Sequence, residues 1–412
     1  MIPFPVNPVL KTLPTYQPGR PIDEVARELG LPAEQIIKLA SNENSLGPSR
    51  LGMAAMRKAL SQANFYPDGN AFYLKQKLAS RLGLSPAHLI FGNGSNEIIE
   101  FLGHALLPRR AQATPEPITD FAHAATRGPT HEERAVTATG ISSDAEVVVS
   151  QYCFAVYPIV TALFGAKLVS VPAKNYGHDL EGMLAAISSK TRLVFVANPN
   201  NPTGTVVPPD ALRNFIEAVP PHVVLALDEA YIEFLDKPLD LIPDVCAGSR
   251  PNLILMRTFS KIYGLAGLRI GYGLGHPEFI AELEKIRQPF NINSMAQAAA
   301  LAALDDAAHV TRTRRIVARG LKFFARAFRK LGLEFVPSAA NFILVRVGDG
   351  ERVFRAMQQQ GVIVRPLAGY QLPEFVRISM GTTAENQRCL EALQTALSLT
   401  SPQPAKSAEP KH

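Results

Sequence analysis

Cysteine is scarce in this chain, with three in 412 residues, Cys153, Cys246 and Cys389, far apart and without C-x-x-C spacing. They build neither a disulfide framework nor a zinc ribbon, and each reads as a small apolar residue. No apolar run reaches the roughly 18 residues a membrane-spanning helix needs. The nearest approach, 152–166, is interrupted by Pro158 and Thr161. The first residues, Met-Ile-Pro-Phe-Pro-Val-Asn-Pro, place no basic segment ahead of an apolar one, so no secretory signal is expected and the expected location is cytoplasmic. Charged residues are only 19% of the chain against 47% apolar, and the length corresponds to about two or three domains. That excludes a wholly disordered chain and a peptide-sized scaffold, and a chain of this size needs no disulfide staples.

Several common chemical motifs are missing as well. There is no G-x-x-x-x-G-K-[ST] loop, Gly94-Ser95 lacks the flanking glycines of a nucleophile elbow, and the nine histidines form no pair at helical spacing. No metal site is expected. Residues 271–275, Gly-Tyr-Gly-Leu-Gly, have the wrong spacing for a dinucleotide fingerprint and read as strand and turn glycines. The net charge of +6 has a local origin: residues 312–330 carry Arg312, Arg314, Arg315, Arg319, Lys322, Arg326, Arg329 and Lys330 and no acid, which leaves the remainder close to neutral. Ile316, Phe323, Phe324 and Phe328 give this segment an apolar side, so it reads as a helix with a solvated basic face, the alternative being a polyanion or membrane-surface role. Neither nucleic acid nor a membrane is expected as a partner.

The pattern along the chain is that of an α/β protein. Residues 1–47 form a proline-rich arm with one helical stretch at 22–29. Helices are expected at 51–60, 73–82 and 96–107, and strands at 88–91, 146–150, 167–171, 193–197, 223–227, 253–256 and 269–273. The strand-like runs show little polar alternation, which suits a mostly parallel sheet covered on both faces by crossover helices. This defines a large domain over 48–306. Beyond it, the long basic helix, strands at 341–347 and 376–379 and a last helix to about 398 suggest a smaller α+β domain over 307–400, with the arm packing on it. Residues 401–412 have a disordered composition. Residues 109–143 hold no sustained apolar period and read as an insertion.

Polar residues cluster where the expected strands end, at the rim where open α/β sheets bind ligands. The strand at 193–197 runs into Asn198-Pro-Asn-Asn-Pro-Thr-Gly204, that at 223–227 into Asp228-Glu-Ala-Tyr231, and that at 253–256 into Arg257-Thr-Phe-Ser260-Lys261, with Arg269 eight residues on. Upstream, Gly92-Asn-Gly94-Ser95-Asn96 opens a helix, where free N–H groups favour an anion. Singly, each of these reads as structural. Together they make one cofactor site.

With these motifs the chain resembles pyridoxal-phosphate aminotransferases of fold type I, and among them the histidinol-phosphate aminotransferase family. The resemblance extends over 40–48 (Ala-Ser-Asn-Glu-Asn-Ser-Leu-Gly-Pro), 66–70 (Tyr-Pro-Asp-Gly-Asn), 92–97, 198–204, 228–231, 258–261, 267–269 and 376–382 (Val-Arg-Ile-Ser-Met-Gly-Thr). It implies a large domain with a mostly parallel sheet, a smaller α+β domain, and amino transfer between histidinol phosphate and 2-oxoglutarate in histidine biosynthesis. Lys261 resembles the lysine joined to the cofactor, which then carries the proton as a general base. Asp228 resembles the carboxylate facing the pyridine nitrogen, keeping the ring protonated and so an electron sink. Tyr231 and Asn201 resemble the pair on the ring hydroxyl. Ser260, Arg269, Gly94, Ser95 and Asn96 match the phosphate-holding positions, Phe154 the aromatic on the ring face, and Tyr66 a residue reaching in from a second subunit, which implies a homodimer with shared sites. On the substrate side, Arg377 resembles the arginine that takes the glutamate carboxylate in a bidentate fork, with Asn201 beside it. Arg365 and Tyr16 match phosphate-side positions.

Three departures stand out: Ser45 replaces the usual proline, Ala71 replaces a frequent glycine, and the 35-residue insertion 109–143 precedes the strand leading to Phe154. The insertion is expected to be a surface excursion, the alternative being a cover over the site that alters substrate range. Rival readings keep the cofactor and change the substrate, to aromatic amino acids or to decarboxylation of an amino acid phosphate. A non-catalytic regulator would need a DNA-binding module, for which the roughly 40 residues before Ser41 leave too little room.

Overall fold

A computed structural model describes residues 8–11, 13, 19–107 and 144–400. Tyr16, the insertion 109–143 and the tail 401–412 lie outside the described residues.

The central sheet has seven strands in the spatial order Leu89–Gly92, Gly271–Leu274, Leu253–Thr258, Val224–Asp228, Thr191–Ala197, Glu146–Ser150 and Lys167–Val171. Only Gly271–Leu274 runs antiparallel to its neighbours, so the expected mostly parallel sheet is observed. The missing polar alternation has its cause in the two cores. In Leu253–Thr258, Leu253 and Leu255 enter one core while Ile254 and Met256 enter the other. In Thr191–Ala197, Val194 and Val196 divide in the same way from Leu193 and Phe195. Both faces are apolar because both are covered. One core is closed by helices such as Phe72–Leu82, Pro209–Ala218 and Ser294–Ala303, the other by Ser95–Leu106, Val156–Leu163 and Pro277–Glu284.

A second sheet, antiparallel, follows the order Arg365–Leu367, Leu372–Ser379, Phe342–Arg346, Phe335–Val336. The helices Ala307–Lys330, Gly350–Gln358 and Thr383–Thr400 pack on it through Phe324, Phe328, Val353, Met357 and Leu393, all fully buried. The N-terminal segment joins this body: Ile37–Lys38 pairs in parallel with Val362–Ile363, and Ile37 and Leu39 enter its core. On the basic helix, Phe324 and Phe328 are buried as expected, Ile316 and Phe323 are half-buried, and the seven cations Arg312, Arg315, Arg319, Lys322, Arg326, Arg329 and Lys330 are exposed.

The basic helix begins at Ala307, where Asp306 caps it by accepting from His309 N at 3.1 Å while also accepting from Ser49 Oγ at 2.7 Å. Two differences from the sequence reading have physical reasons. The strand expected from 269 begins at Gly271, because Arg269 adopts a left-handed φ of 53° that no strand tolerates. The strands Phe335–Val336, Val362–Ile363 and Arg365–Leu367 have two or three residues each, too few to carry a periodic pattern.

Candidate active site

At the carboxyl ends of the central strands lies a cavity of about 370 Å³. Its floor is Asp228, the last residue of its strand and only 5% exposed. The carboxylate is held from two sides: Oδ2 accepts from the Tyr157 hydroxyl at 2.7 Å and Oδ1 from Ala230 N at 3.0 Å. Burial pushes its pKa up, and these two hydrogen bonds and the Lys261 charge work against that rise.

Lys261 follows the neighbouring strand Leu253–Thr258. Its loop is fixed by Thr258, whose Oγ1 accepts from Ser260 N at 3.1 Å and donates to Ser260 Oγ at 2.9 Å. The amine lies 3.5 Å from the Ser41 carbonyl and 5.7 Å from the centre of the Tyr231 ring. Burial, joined by the positive charges of Arg377 and Arg269, lowers its pKa to about 8, against the pull of Glu43 and Asp228. At neutral pH roughly a tenth of it is therefore unprotonated, far more than for an ordinary lysine, as a proton carrier requires. The Tyr231 hydroxyl accepts from Asn42 Nδ2 at 2.9 Å, and burial pushes the phenol up to about 12, so it stays protonated.

One end of the cavity is made for an anion. The helix Ser95–Leu106 starts behind Gly94 with no side-chain cap, leaving its first N–H groups open toward the cavity. Its first-turn acid, Glu97, is turned back to accept from Asn93 N at 2.6 Å and Asn291 Nδ2 at 2.7 Å. Arg269 closes this end. A Cβ on Gly94 would lie 2.5 Å from Arg269 Nη2, and one on Gly271 would lie 2.5 Å from Ser95 N, so both glycines are required for the close approach. Ser260, Ser95 and Asn96 line the same end.

At the other end, Arg377 rises from the second sheet, 6% exposed. It donates to Asn201 Oδ1 at 2.6 Å and to the Ala40 carbonyl at 3.0 Å, with its guanidinium 5.1 Å from the centre of the Phe342 ring. Arg365 is its direct partner across the antiparallel pair, so both side chains leave the same face and both line the cavity. Like charges placed opposite each other destabilise a sheet, so this pair is understandable as an anion receptor. Arg365 and Tyr370 also wall an adjoining apolar cavity of about 500 Å³ that includes Val149, Cys153 and Ile159.

The cavity thus brings together Gly94, Ser95, Asn96, Phe154, Asn201, Asp228, Tyr231, Ser260, Lys261, Arg269, Arg365 and Arg377. Tyr66 does not line it: it is 82% exposed and stacks on Phe290, with ring centres 4.8 Å apart. Two residues went unrecognised in the sequence. Asn42, held by Ser379 Oγ and Asn341, lies in the quoted 40–48 stretch, which was the available signal. Tyr157 gave none beyond being an aromatic in an apolar run.

These residues fit the cofactor the sequence resemblance implies. An uncapped helix start with an arginine and hydroxyls matches a phosphate, a buried carboxylate matches a protonated ring nitrogen, and a lysine of lowered pKa matches its carbonyl. Among the described residues no three His, Cys, Asp or Glu side chains are grouped to hold a metal ion, and no helix is long and apolar enough to cross a membrane.

Comparison with known proteins agrees with this geometry. The family described as aminotransferase class I and II matches residues 128–393. A histidinol-phosphate aminotransferase of Akkermansia muciniphila is 47% identical over 386 residues, covering 93% of this chain and 96% of that protein. A histidinol-phosphate aminotransferase 2 of Ralstonia nicotianae is 46% identical over 393 residues, covering 94% and 96%. Among solved structures, the histidinol-phosphate aminotransferase of Sinorhizobium meliloti in complex with pyridoxal-5'-phosphate superposes with a TM-score of 0.78 at 30% identity, over 96% of this chain and 98% of that one.

Proposed function

The chain belongs to the class I and II aminotransferases and, within them, to the histidinol-phosphate aminotransferases, and on that premise we propose how its residues divide the work of the reaction. The enzyme exchanges an amino group between L-histidinol phosphate and 2-oxoglutarate, giving imidazole-acetol phosphate and glutamate, a step that histidine biosynthesis runs in reverse. When bound, pyridoxal phosphate supplies a carbonyl that takes up the amino group and a protonated ring that draws electrons from the donor's Cα. The observation that carries the assignment of roles is the line of groups across one cavity: Arg269, Asp228, Lys261 and Arg377.

Asp228 holds the ring nitrogen in its protonated form. With the cofactor bound, the amine of Lys261 would take the proton from the donor's Cα and hold it for return, a task its lowered pKa allows. Tyr231, protonated, and Asn201 hold the ring hydroxyl, and Phe154 covers one ring face. Ser260, Arg269 and the N–H groups from Gly94 to Asn96 bind the cofactor's phosphate. Arg377 takes the carboxylate of the keto acid and, with Arg365 and Tyr16, the phosphate of the other substrate. The two substrates share Arg377 because both present an oxyanion, planar or tetrahedral, to its guanidinium fork, and Arg365 adds to the phosphate.

We place this chain in a homodimer. In support, Tyr66 stacks on the exposed Phe290, and Phe65, Phe72 and Tyr73 of the same stretch of chain are 69%, 54% and 74% exposed, aromatic side chains of the kind that protein interfaces cover. The partner's copy of this patch is then what brings Tyr66 to the phosphate end. An apparent mass of one chain in sedimentation, together with full activity of Tyr66→Phe, would refute this. The adjoining apolar cavity favours aromatic amino acids as secondary donors, tested by comparing kcat/KM for phenylalanine and histidinol phosphate.

The deciding experiment is the visible spectrum of the protein with pyridoxal phosphate, before and after adding histidinol phosphate with no keto acid. Conversion of the bound cofactor to its amino form is expected. A spectrum that stays unchanged would overturn histidinol phosphate as the donor.

A further inference from the structure

Tyr157 stands behind the floor of the cavity, outside its lining, and its placement is over-determined. It is the second residue of the helix Val156–Leu163 and 1% exposed. Its ring lies face to face on Phe195, with centres 4.3 Å apart and planes 1° from parallel, and edge-on to Phe154 at 5.6 Å. Phe195 belongs to the strand paired directly with that of Asp228. Packed against both Phe195 and Phe154, the ring carries its hydroxyl to 2.7 Å from Asp228 Oδ2. Burial and the nearby Asp228 charge keep the phenol protonated, so it acts as a donor.

A carboxylate with one oxygen on a backbone N–H and the other free would rotate toward whichever donor approached. With the Ala230 N–H on Oδ1 and Tyr157 on Oδ2, its plane is set. Tyr157 N donates to the Phe154 carbonyl at 3.0 Å, so the wall of the cavity and the support of its floor are built on the same turn of chain.

We propose that Tyr157 is a positioning residue: it fixes the Asp228 carboxylate in the orientation that receives the cofactor's ring nitrogen, and it acts only through that carboxylate. The inference rests on the pyridoxal phosphate reading above.

The test separates a role through Asp228 from a packing role. Tyr157→Phe keeps the stacked ring and removes the donor. Stripped wild-type and variant protein are titrated by equilibrium dialysis with pyridoxal phosphate and with its deaza analogue, in which a C–H replaces the ring nitrogen. The variant is expected to bind pyridoxal phosphate about tenfold more weakly, as for loss of a hydrogen bond to a charged group, and the analogue within about twofold of wild type. In an Asp228→Asn background Tyr157→Phe should cost nothing further. Equal weakening for both compounds, no weakening for either, or a further tenfold loss on Asp228→Asn each overturns the proposal. If the wild type itself fails to distinguish the two compounds, the assignment of Asp228 falls and takes the proposal with it. Should Tyr157→Phe not fold, Tyr157→His, which retains a ring donor, carries the same comparison: restored preference for the nitrogen-bearing ring is expected, and its loss counts against.

Discussion

The two ends of the cavity that we assign to anions each centre on a guanidinium, yet they are built in opposite ways. The Arg269 end is assembled within the central sheet, from the loop after Leu89–Gly92 and the turn leading into Gly271–Leu274, two strands that pair directly. Its fit depends on backbone: a left-handed Arg269 and glycines that allow contact at main-chain distance. The Arg377 end is assembled from three separate parts, the second sheet, the 198–204 loop and the N-terminal segment, and depends on side-chain hydrogen bonds to Asn201 and Ala40. A backbone cradle suits an anion that stays. A guanidinium already satisfied by a neutral amide, which an incoming oxyanion can displace, suits one that must leave after each turnover.

The largest expected effect falls between the ends. Lys261→Ala should abolish transamination, by about 10⁴-fold or more, while cofactor phosphate and substrate anions still bind. Detectable turnover above about 1% of wild type would sink the role given to this amine. The same residue gives a pH signature in the cofactor-free protein. Its folded pKa of about 8 lies below the 10.5 of an unperturbed lysine, so between those values the unfolded chain binds more protons and stability rises with pH. Lys261→Ala should flatten that rise, of order 1–3 kcal/mol. An unchanged pH profile of thermal unfolding would show that the amine is solvated.

Next come substitutions that should damage one end and spare the other. Gly94→Ala places a Cβ 2.5 Å from Arg269 Nη2 at a φ of 71°, so cofactor affinity should fall about 100-fold in a titration. At saturating cofactor, KM for 2-oxoglutarate should hold within about twofold. Arg377→Lys should do the reverse: the bidentate fork is lost, KM for both substrates rises about 10- to 100-fold, and cofactor retention on dialysis is unaffected. If either variant disturbs both ends alike, the division between a resident and an exchanging anion fails.

The sequence reached some of this site and missed other parts for reasons of distance. Asp228 and Lys261 were legible because one ends a buried strand and the other lies in the loop just after the next, and the rim of an α/β sheet is where ligands gather. The sheet was legible because a strand buried on both faces is a continuous apolar run. Asn42 and Tyr157 were not, since they act on partners 189 and 71 residues away in sequence. The pairing of Arg365 with Arg377 was hidden for a similar reason: it depends on a strand of three residues. The turn of Arg269 out of its strand was invisible because a left-handed arginine has no residue-type signature, unlike a glycine.

The smallest expected effect tests the finest part of the comparison, within the exchanging end itself. Arg365 and Arg377 face each other across paired strands, but Arg377 is buried and Arg365 half-buried, on the wall shared with the apolar cavity. A dicarboxylate seated on the buried Arg377 has little need of the second cation. A phosphate ester gathers its charge and three terminal oxygens on one group, so it gains from both. Arg365→Ala should therefore raise KM for histidinol phosphate about tenfold and that for 2-oxoglutarate less than about threefold, the cost of one partly solvated charged hydrogen bond. Because the substitution also relieves like-charge repulsion across the strand pair, thermal stability should hold or rise slightly, by about 0.5 kcal/mol or less. Equal losses for the two substrates would make the arginines one receptor, and a loss confined to 2-oxoglutarate would reverse their assignment.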